Sequence, residues 1–184
     1  TGGEPMMQMD FLIELFRDLK RRGVHTCIDS CGVVYNPHNE RFMRQLEELL
    51  PLTDLVLLDI KQIDDARHRE LTGHSNRQIL SFARCLDAYH IPIWLRHVVV
   101  PGLTLYREYL EGLGAFMASL HNVKALDVLP YHSMGKAKYQ KLGIPYPLEE
   151  TRDATKEEAH AARELILAAY KKARLADGAQ PNPS

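Results

Sequence analysis

Cysteine is scarce in this chain, tryptophan scarcer, and neither sign of charge is in excess. Three thiols, Cys27, Cys31 and Cys85, are too few and odd in number for a disulfide framework. Stability must therefore come from a hydrophobic core, and the count points to a reducing, cytoplasmic setting. Cys27 and Cys31 have C-x-x-x-C spacing, but no third or fourth ligand stands near them in the chain. That favours small packed side chains over a metal site. The 23 Lys and Arg against 24 Asp and Glu leave a net charge of −1, which argues against a dedicated nucleic-acid binder. No apolar run approaches the ~20 residues of a membrane span. The first residues do not read as a secretory leader. Short repeats and low-complexity stretches are lacking too, apart from the terminal AQPNPS. Residues 176–184 are expected to be a disordered tail.

What is present suits one globular domain, expected over residues 1–175. Of the 184 residues, 45% are hydrophobic and 26% charged, the proportions of an ordinary folded protein. The chain opens on Thr1 and turns at once through Gly2-Gly3-Glu4-Pro5, as if sequence preceded it. Four strand-like segments follow: VHTCIDS (24–30), LVLLDIK (55–61), PIWLRHVVV (92–100) and ALDVLPYH (125–132). Helical periodicity lies between them, over 8–22, 38–50, a short stretch ended by Gly73, and 105–120. Ser75-x-x-Gln78 predicts a capping box opening a helix to about residue 89, and Thr155-x-x-Glu158 a second one opening a helix to about 174. Residues 132–150, with Gly135, Gly143, Pro145 and Pro147, read as a loop. A helix followed by four βα repeats implies an α/β fold with a parallel sheet of about four strands. The near-continuous apolar run of LVLLDIK fits a strand covered by helices. Four strands alone would leave an edge bare.

Each strand ends on polar residues, and carboxyl ends of parallel strands converge on the face where such folds do chemistry. Side chains alternate along a strand. Asp59 and Lys61 therefore share a face. So do His25, Cys27 and Asp29, with Ser30 on the other side; Leu126, Val128, Pro130 and His132 align, and Arg96 falls mid-strand beside Trp94 and Val98. Asp29, Asp59, Lys61 and His132 are expected to surround one polar ligand. Two carboxylates and an ammonium suit a zwitterion, with the carboxylates taking an amine or small cation and Lys61 a carboxylate. The competing reading is structural: an Asp59–Lys61 ion pair capping a sheet end, a solvated His132, and Arg96 paired with an acid inside the sheet. Gly2-Gly3-Glu4 offers backbone N–H groups and a carboxylate to a ligand. Lys136, Lys138, Tyr139 and Lys141 make a basic stretch, either a solvated loop or a flap facing an acidic partner. Met6, Met7 and Met9 read as packing.

Five motifs in order carry a family resemblance: Gly2-Gly3-Glu4-Pro5, HTCIDSCG (25–32), DLVLLDIKQ (54–62), WLRHVVVPG (94–102) and LPYHSMGKAKY (129–139). The chain resembles the radical S-adenosylmethionine enzymes, and within them the activases of glycyl radical enzymes of the pyruvate formate-lyase type. The resemblance implies a partial (βα) barrel binding S-adenosylmethionine beside a [4Fe-4S] cluster. It implies reductive cleavage of that cofactor and hydrogen abstraction from a glycine of a partner, pyruvate formate-lyase first among glycyl radical enzymes. It also implies a flavodoxin or ferredoxin as electron donor. Gly2, Gly3 and Glu4 then match contacts to the methionine amino group, Lys61 the carboxylate partner, and His132 an adenosine-side contact. Asp29, Ser30 and Asp59 match cofactor-side positions, with Asp29 and Asp59 holding a monovalent cation, and Arg96 lines the site. One departure stands out: no C-x-x-x-C-x-x-C is present, since the third position after Cys27 and Cys31 is Val34. The cluster is therefore expected in a longer parent only, and this portion alone is expected to be inactive. Cys31 replaces the Asn of the nearest relatives. Three alternatives remain: an activase of another glycyl radical enzyme, a cofactor- or partner-binding module without redox work, and a lyase using Lys61 as a Schiff-base amine.

Overall fold

A computed structural model describes residues 3–178. Four parallel strands form one sheet in the order β1 (Cys27–Ser30), β2 (Leu55–Asp59), β3 (Ile93–Val99), β4 (Val123–Pro130). Helix α1 (Met9–Arg21) precedes β1, behind a 3₁₀ turn over Pro5–Gln8. Crossovers are made by α2 (Glu40–Leu49), by α3 (Asp65–Thr72) with α4 (Arg77–Ala88), and by α5 (Arg107–Ala118). After β4 come a 3₁₀ turn (Ser133–Gly135), α6 (Lys136–Leu142) and α7 (Lys156–Ala176). The α/β class and the four-strand parallel sheet follow the sequence expectation.

β1, β2 and β3 are shorter than the apolar runs suggested, and β4 keeps its length but lies two residues earlier. Residues 24–26 stand before β1, where Thr26 is held by Asp54: its backbone N–H donates to Oδ2 at 2.8 Å. Asp54 also accepts from Lys20 Nζ at 2.6 Å, so one carboxylate ties the end of α1 to the entry of β1 and β2. Three local expectations need correction. The Ser75–Gln78 capping box does not form: Ser75 Oγ accepts from Arg77 N–H at 3.2 Å and donates to Asp65 Oδ1 at 2.5 Å, and Asn76 is the N-cap of α4, without a side-chain bond. Residues 133–142, read as loop, are helical, and Gly143 at φ +66° ends α6. Helix α7 runs on to Ala176, so the start of the expected tail is helical; residues 179–184 lie outside the described residues. The Thr155–Glu158 capping box forms as expected.

Register decides which residues share a face. Asp29 pairs with Leu57, Leu57 with Trp94 and Trp94 with Ala125, while Asp59 pairs with Arg96 and Arg96 with Asp127. One face of the sheet is fully covered: Ile28, Val56, Leu58, Ile60, Ile93, Leu95 and Val99 join the core with Leu46, Leu49, Phe82, Leu86, Leu110 and Leu113 of the helices. The opposite face is open. Trp94 there is 45% exposed and Leu129 39%. Helical cover of LVLLDIK is thus one-sided, with Val56 and Leu58 buried and Leu55 and Leu57 half-buried. Helix α7 packs so tightly on α5 that a Cβ on Gly114 would lie 2.3 Å from the Ile166 carbonyl oxygen.

Candidate functional site

The open face carries the charged strand tips. A cavity of about 930 Å³ is lined by Gly3, Glu4, Asp29, Cys31, Asp59, Lys61 and Arg96, with Leu12, Leu15 and Phe16 of α1 as its apolar flank. Alternation explains the set. Asp29, Asp59 and Arg96 share a face by register, and Lys61, two residues past Asp59, emerges on the same side.

Four charges make one network. Lys61 Nζ donates to Asp59 Oδ2 at 2.7 Å. Arg96 Nε donates to the other Asp59 oxygen. The far edge of the guanidinium grips Asp29, with Nη2 at 2.6 Å from Oδ1 and Nη1 at 3.2 Å from Oδ2. Burial works to raise the Asp59 carboxyl, but the bonds from Arg96 and Lys61 outweigh it and hold it below its ordinary value. The same Asp59 bond, more than the one to Asp29, holds the Arg96 guanidinium charged. Two carboxylates and two cations leave the quartet formally neutral. Its exposure is uneven: the Asp59 side chain is 14% exposed, Asp29 58%. A ligand can therefore reach Asp29 and Lys61 while Asp59 and Arg96 stay as the inner framework.

The opening turn is fastened to the sheet by its acid. Gly3 lies at φ +88°, a left-handed conformation that favours glycine, with open space where a Cβ would stand. Glu4 turns inward. Its Oε1 accepts from Ser30 Oγ at 2.8 Å, and its Oε2 accepts from Cys31 N–H at 3.1 Å and Cys31 Sγ at 3.2 Å. Ser30 Oγ in turn accepts from Gly32 N–H at 2.8 Å. The Glu4 carboxylate, expected from sequence to meet a ligand, is thus occupied by the tip of β1. What it presents to the cavity is the Gly3 backbone. Burial pushes the Cys31 thiol upward, and its bond to Glu4 adds to that, so Cys31 is a protonated donor here.

His132 is not part of this arrangement. Asp127 and Leu129, not the even-numbered residues of β4, share the face of Arg96. The pairing shifts by one residue between Ile93 and Trp94, which the alternation within a single strand does not reveal. His132 lies beyond β4, exposed, and does not line the cavity. Gly2 lies outside the described residues.

Thiol ligands for a cluster are not assembled. Among the described residues no group of three His, Cys, Asp or Glu side chains is placed to hold a metal ion. Cys27 is exposed on β1, with its thiol pushed upward mainly by desolvation. Cys85 sits in α4, half-buried and away from the cavity, with its thiol pushed upward by burial. The present residues do not fit a [4Fe-4S] cluster. They do offer a lysine, a pair of carboxylates and a turn backbone on one cavity, a donor set that suits a zwitterionic ligand.

The Radical SAM superfamily model matches residues 1–111. This chain belongs to the radical SAM superfamily. Among curated relatives, the pyruvate formate-lyase-activating enzyme of Streptococcus mutans serotype c is 45% identical over 166 residues, covering 90% of this chain and 63% of that enzyme. That of Listeria monocytogenes serovar 1/2a is 48% identical over 167 residues, covering 91% and 66%. That of Staphylococcus epidermidis is 50% identical over 149 residues, covering 81% and 59%. The chain thus spans somewhat under two thirds of the length of these relatives. Among solved structures, a domain of pyruvate-formate lyase-activating enzyme from Bacteroides vulgatus ATCC 8482 matches with a TM-score of 0.71 at 21% identity, covering 92% of this chain and 91% of that one. A radical SAM methyltransferase from Sphaerobacter thermophilus matches at 0.65 and 14%, covering 91% and 46%. At these identities the structures support the radical SAM fold and no more. Among the described residues, no helix is long and apolar enough to cross a membrane.

Proposed function

We propose that this chain carries the S-adenosylmethionine-binding strand tips of a glycyl-radical-enzyme activase whose partner is pyruvate formate-lyase. One observation carries the reading: the Asp29–Arg96–Asp59–Lys61 quartet and the Gly3 turn share a single cavity on the open sheet face. Identity of 45–50% to activases supports the class of reaction. In this reading the chain occupies one domain over 1–175, works in the cytoplasm, and meets neither nucleic acid nor membrane. Its parent draws an electron from a flavodoxin or ferredoxin.

The residues act by binding and orientation. Lys61, 41% exposed at its side chain, takes the ligand carboxylate as a point charge. The Gly3 carbonyl accepts from the ammonium end, held in place because Glu4 is anchored on Ser30 and Cys31. Asp29 trades its bond to Arg96 for the ligand ammonium or a monovalent cation, and Asp59 retains the guanidinium and so keeps the inner frame charged but balanced. Ser30 acts through Glu4. His132, exposed beyond β4 and outside the cavity, has no contact to offer in this arrangement. Bound S-adenosylmethionine supplies the precursor of a hydrogen-abstracting radical. The reducing cluster belongs to the longer parent, since the described residues do not supply its ligands. A second reading, a cofactor- or partner-binding module without redox work, is favoured for this chain by itself by the same missing ligand set.

Calorimetric titration with S-adenosylmethionine tests the proposal. Saturable binding is expected, weakened about tenfold or more by Lys61→Met, the scale of one lost charge-assisted hydrogen bond. Equal binding by both proteins refutes it. Iron–sulfur reconstitution of the chain is expected to give no stoichiometric cluster.

A further inference from the structure

The pair Asp59 and Lys61 straddles Ile60, and Ile60 is where β2 loses its neighbours. The β2–β3 ladder ends with Asp59 opposite Arg96. Beyond it, the Ile60 N–H still donates to the Arg96 carbonyl at 3.0 Å. The Ile60 carbonyl leaves the ladder and meets a side chain instead: His97 Nδ1, 2.8 Å away. His97 stands next to Arg96 on β3 but points to the covered face, where it is 3% exposed. A carbonyl oxygen only accepts, so Nδ1 must carry the proton. That leaves Nε2 as a bare acceptor, buried and without a partner among the described residues.

An unpaired buried nitrogen is costly. A leucine or phenylalanine would fill the same space without that cost. The fold keeps histidine at this position, and the bond it makes is to the one peptide that separates the two site residues. Past the end of the ladder the peptide is flanked by the Ile60 N–H bond to Arg96 and by Asn76 Nδ2 on the Gln62 carbonyl at 3.1 Å, but the Ile60 carbonyl itself is fixed by His97. Rotation would carry Lys61 off the face it shares with Asp59.

We propose that His97 is a positioning residue for the ligand site: from behind the sheet, through the Ile60 carbonyl, it fixes the peptide that presents Asp59 and Lys61 together on the open face. The inference rests on the S-adenosylmethionine-binding reading above for its functional consequence, and on geometry alone for the latch.

Two variants and two readouts test it. His97→Leu removes the donor; His97→Asn keeps one, since the Asn amide nitrogen can stand close to the place of Nδ1. In the wild-type chain, ¹⁵N spectroscopy should show His97 in the Nδ1–H tautomer. In His97→Leu, amide exchange should speed up at Ile60, Lys61 and Gln62 but not at Val56 to Leu58, and S-adenosylmethionine affinity should fall about tenfold. His97→Asn should restore both to within about threefold. An Nε2–H tautomer overturns the latch, as does exchange that accelerates evenly along β2, which is what loss of packing alone would give. Unchanged affinity in His97→Leu overturns the positioning role. If the leucine variant fails to fold, the tautomer and the asparagine variant decide. If the wild-type chain does not bind S-adenosylmethionine, the functional reading fails, and the tautomer and exchange data still judge the latch.

Discussion

Removing the Arg96 guanidinium, as in Arg96→Leu, takes away the group that joins both strand-tip carboxylates. Its two halves differ in worth. The Asp29 side is 58% exposed, so that pair contributes about 0.2–1 kcal/mol. The Asp59 side is different: the carboxylate is 14% exposed and the guanidinium 23%. Losing a charge-assisted bond to a mostly buried carboxylate costs about 1.5–3 kcal/mol. Lys61 remains on Asp59 at 2.7 Å, which keeps the loss near the lower bound. About 2 kcal/mol in total is expected, or a urea midpoint lower by about 1 M at an ordinary slope. The deficit must also depend on pH in one direction. Wild-type Asp59 titrates below its ordinary 3.8, so its stabilisation is complete above that value and is lost as pH falls through the folded pKa. The variant has lost the Arg96 share of that stabilisation and keeps the Lys61 share. Its deficit should be full at neutral pH and shrink as pH falls below about 3.8. An unchanged midpoint, or a deficit that stays constant over that range, would refute the assigned network.

Three further outcomes follow from other parts of the fold. Gly114→Ala places a Cβ 2.3 Å from the Ile166 carbonyl and 2.8 Å from Ala169 Cβ, and should cost about 3 kcal/mol, a melting point lower by about 10 °C; a Tm within about 2 °C of wild type would show that α5 and α7 can part freely. Asp54 is held at about 2, first by Lys20 and then by the Thr26 N–H, against an ordinary 3.8. Its stabilisation is present above 3.8 and lost as pH falls toward 2, so acid unfolding of Asp54→Asn should be flatter across that window than that of wild type. Glu4→Ala should weaken S-adenosylmethionine binding about tenfold by freeing the Gly3 turn, with Tm moving by less than about 4 °C because the removed bonds are local; undiminished affinity would mean the Glu4 anchor has no part in binding.

Much of the sheet was legible because its signals are local. The strand tips Asp29 and Asp59-x-Lys61 stand out since a period of two places them whatever else the chain does. The structural alternatives weighed for Arg96 and for Asp59–Lys61 also hold as geometry: Arg96 does pair with acids across the sheet, and Asp59 with Lys61. Those pairings and the ligand reading are compatible, because half-exposed Asp29 and Lys61 can exchange partners. The Ser75 box stayed incomplete because Asp65, ten residues earlier, accepts from both Ser75 Oγ and Asn76 N–H, and Ser75 Oγ meets Arg77 N–H rather than Gln78 N–H. The 133–142 segment was missed because its glycines sit at the ends of its helical turns, where they stop a helix without forbidding it.

The amino-acid sequence alone determined the order of elements, the parallel sheet and the polar ends of its strands, because hydrophobic period and turn residues act over a few positions. Only the tertiary structure decided that Glu4 spends its carboxylate on Ser30 and Cys31, that His132 falls outside the cavity, and that His97 grips Ile60 from behind. Each of those depends on how one strand is set against another. Interstrand register is fixed by long-range packing and by a single shifted pairing between β3 and β4, and neither leaves a mark on any one segment of the chain.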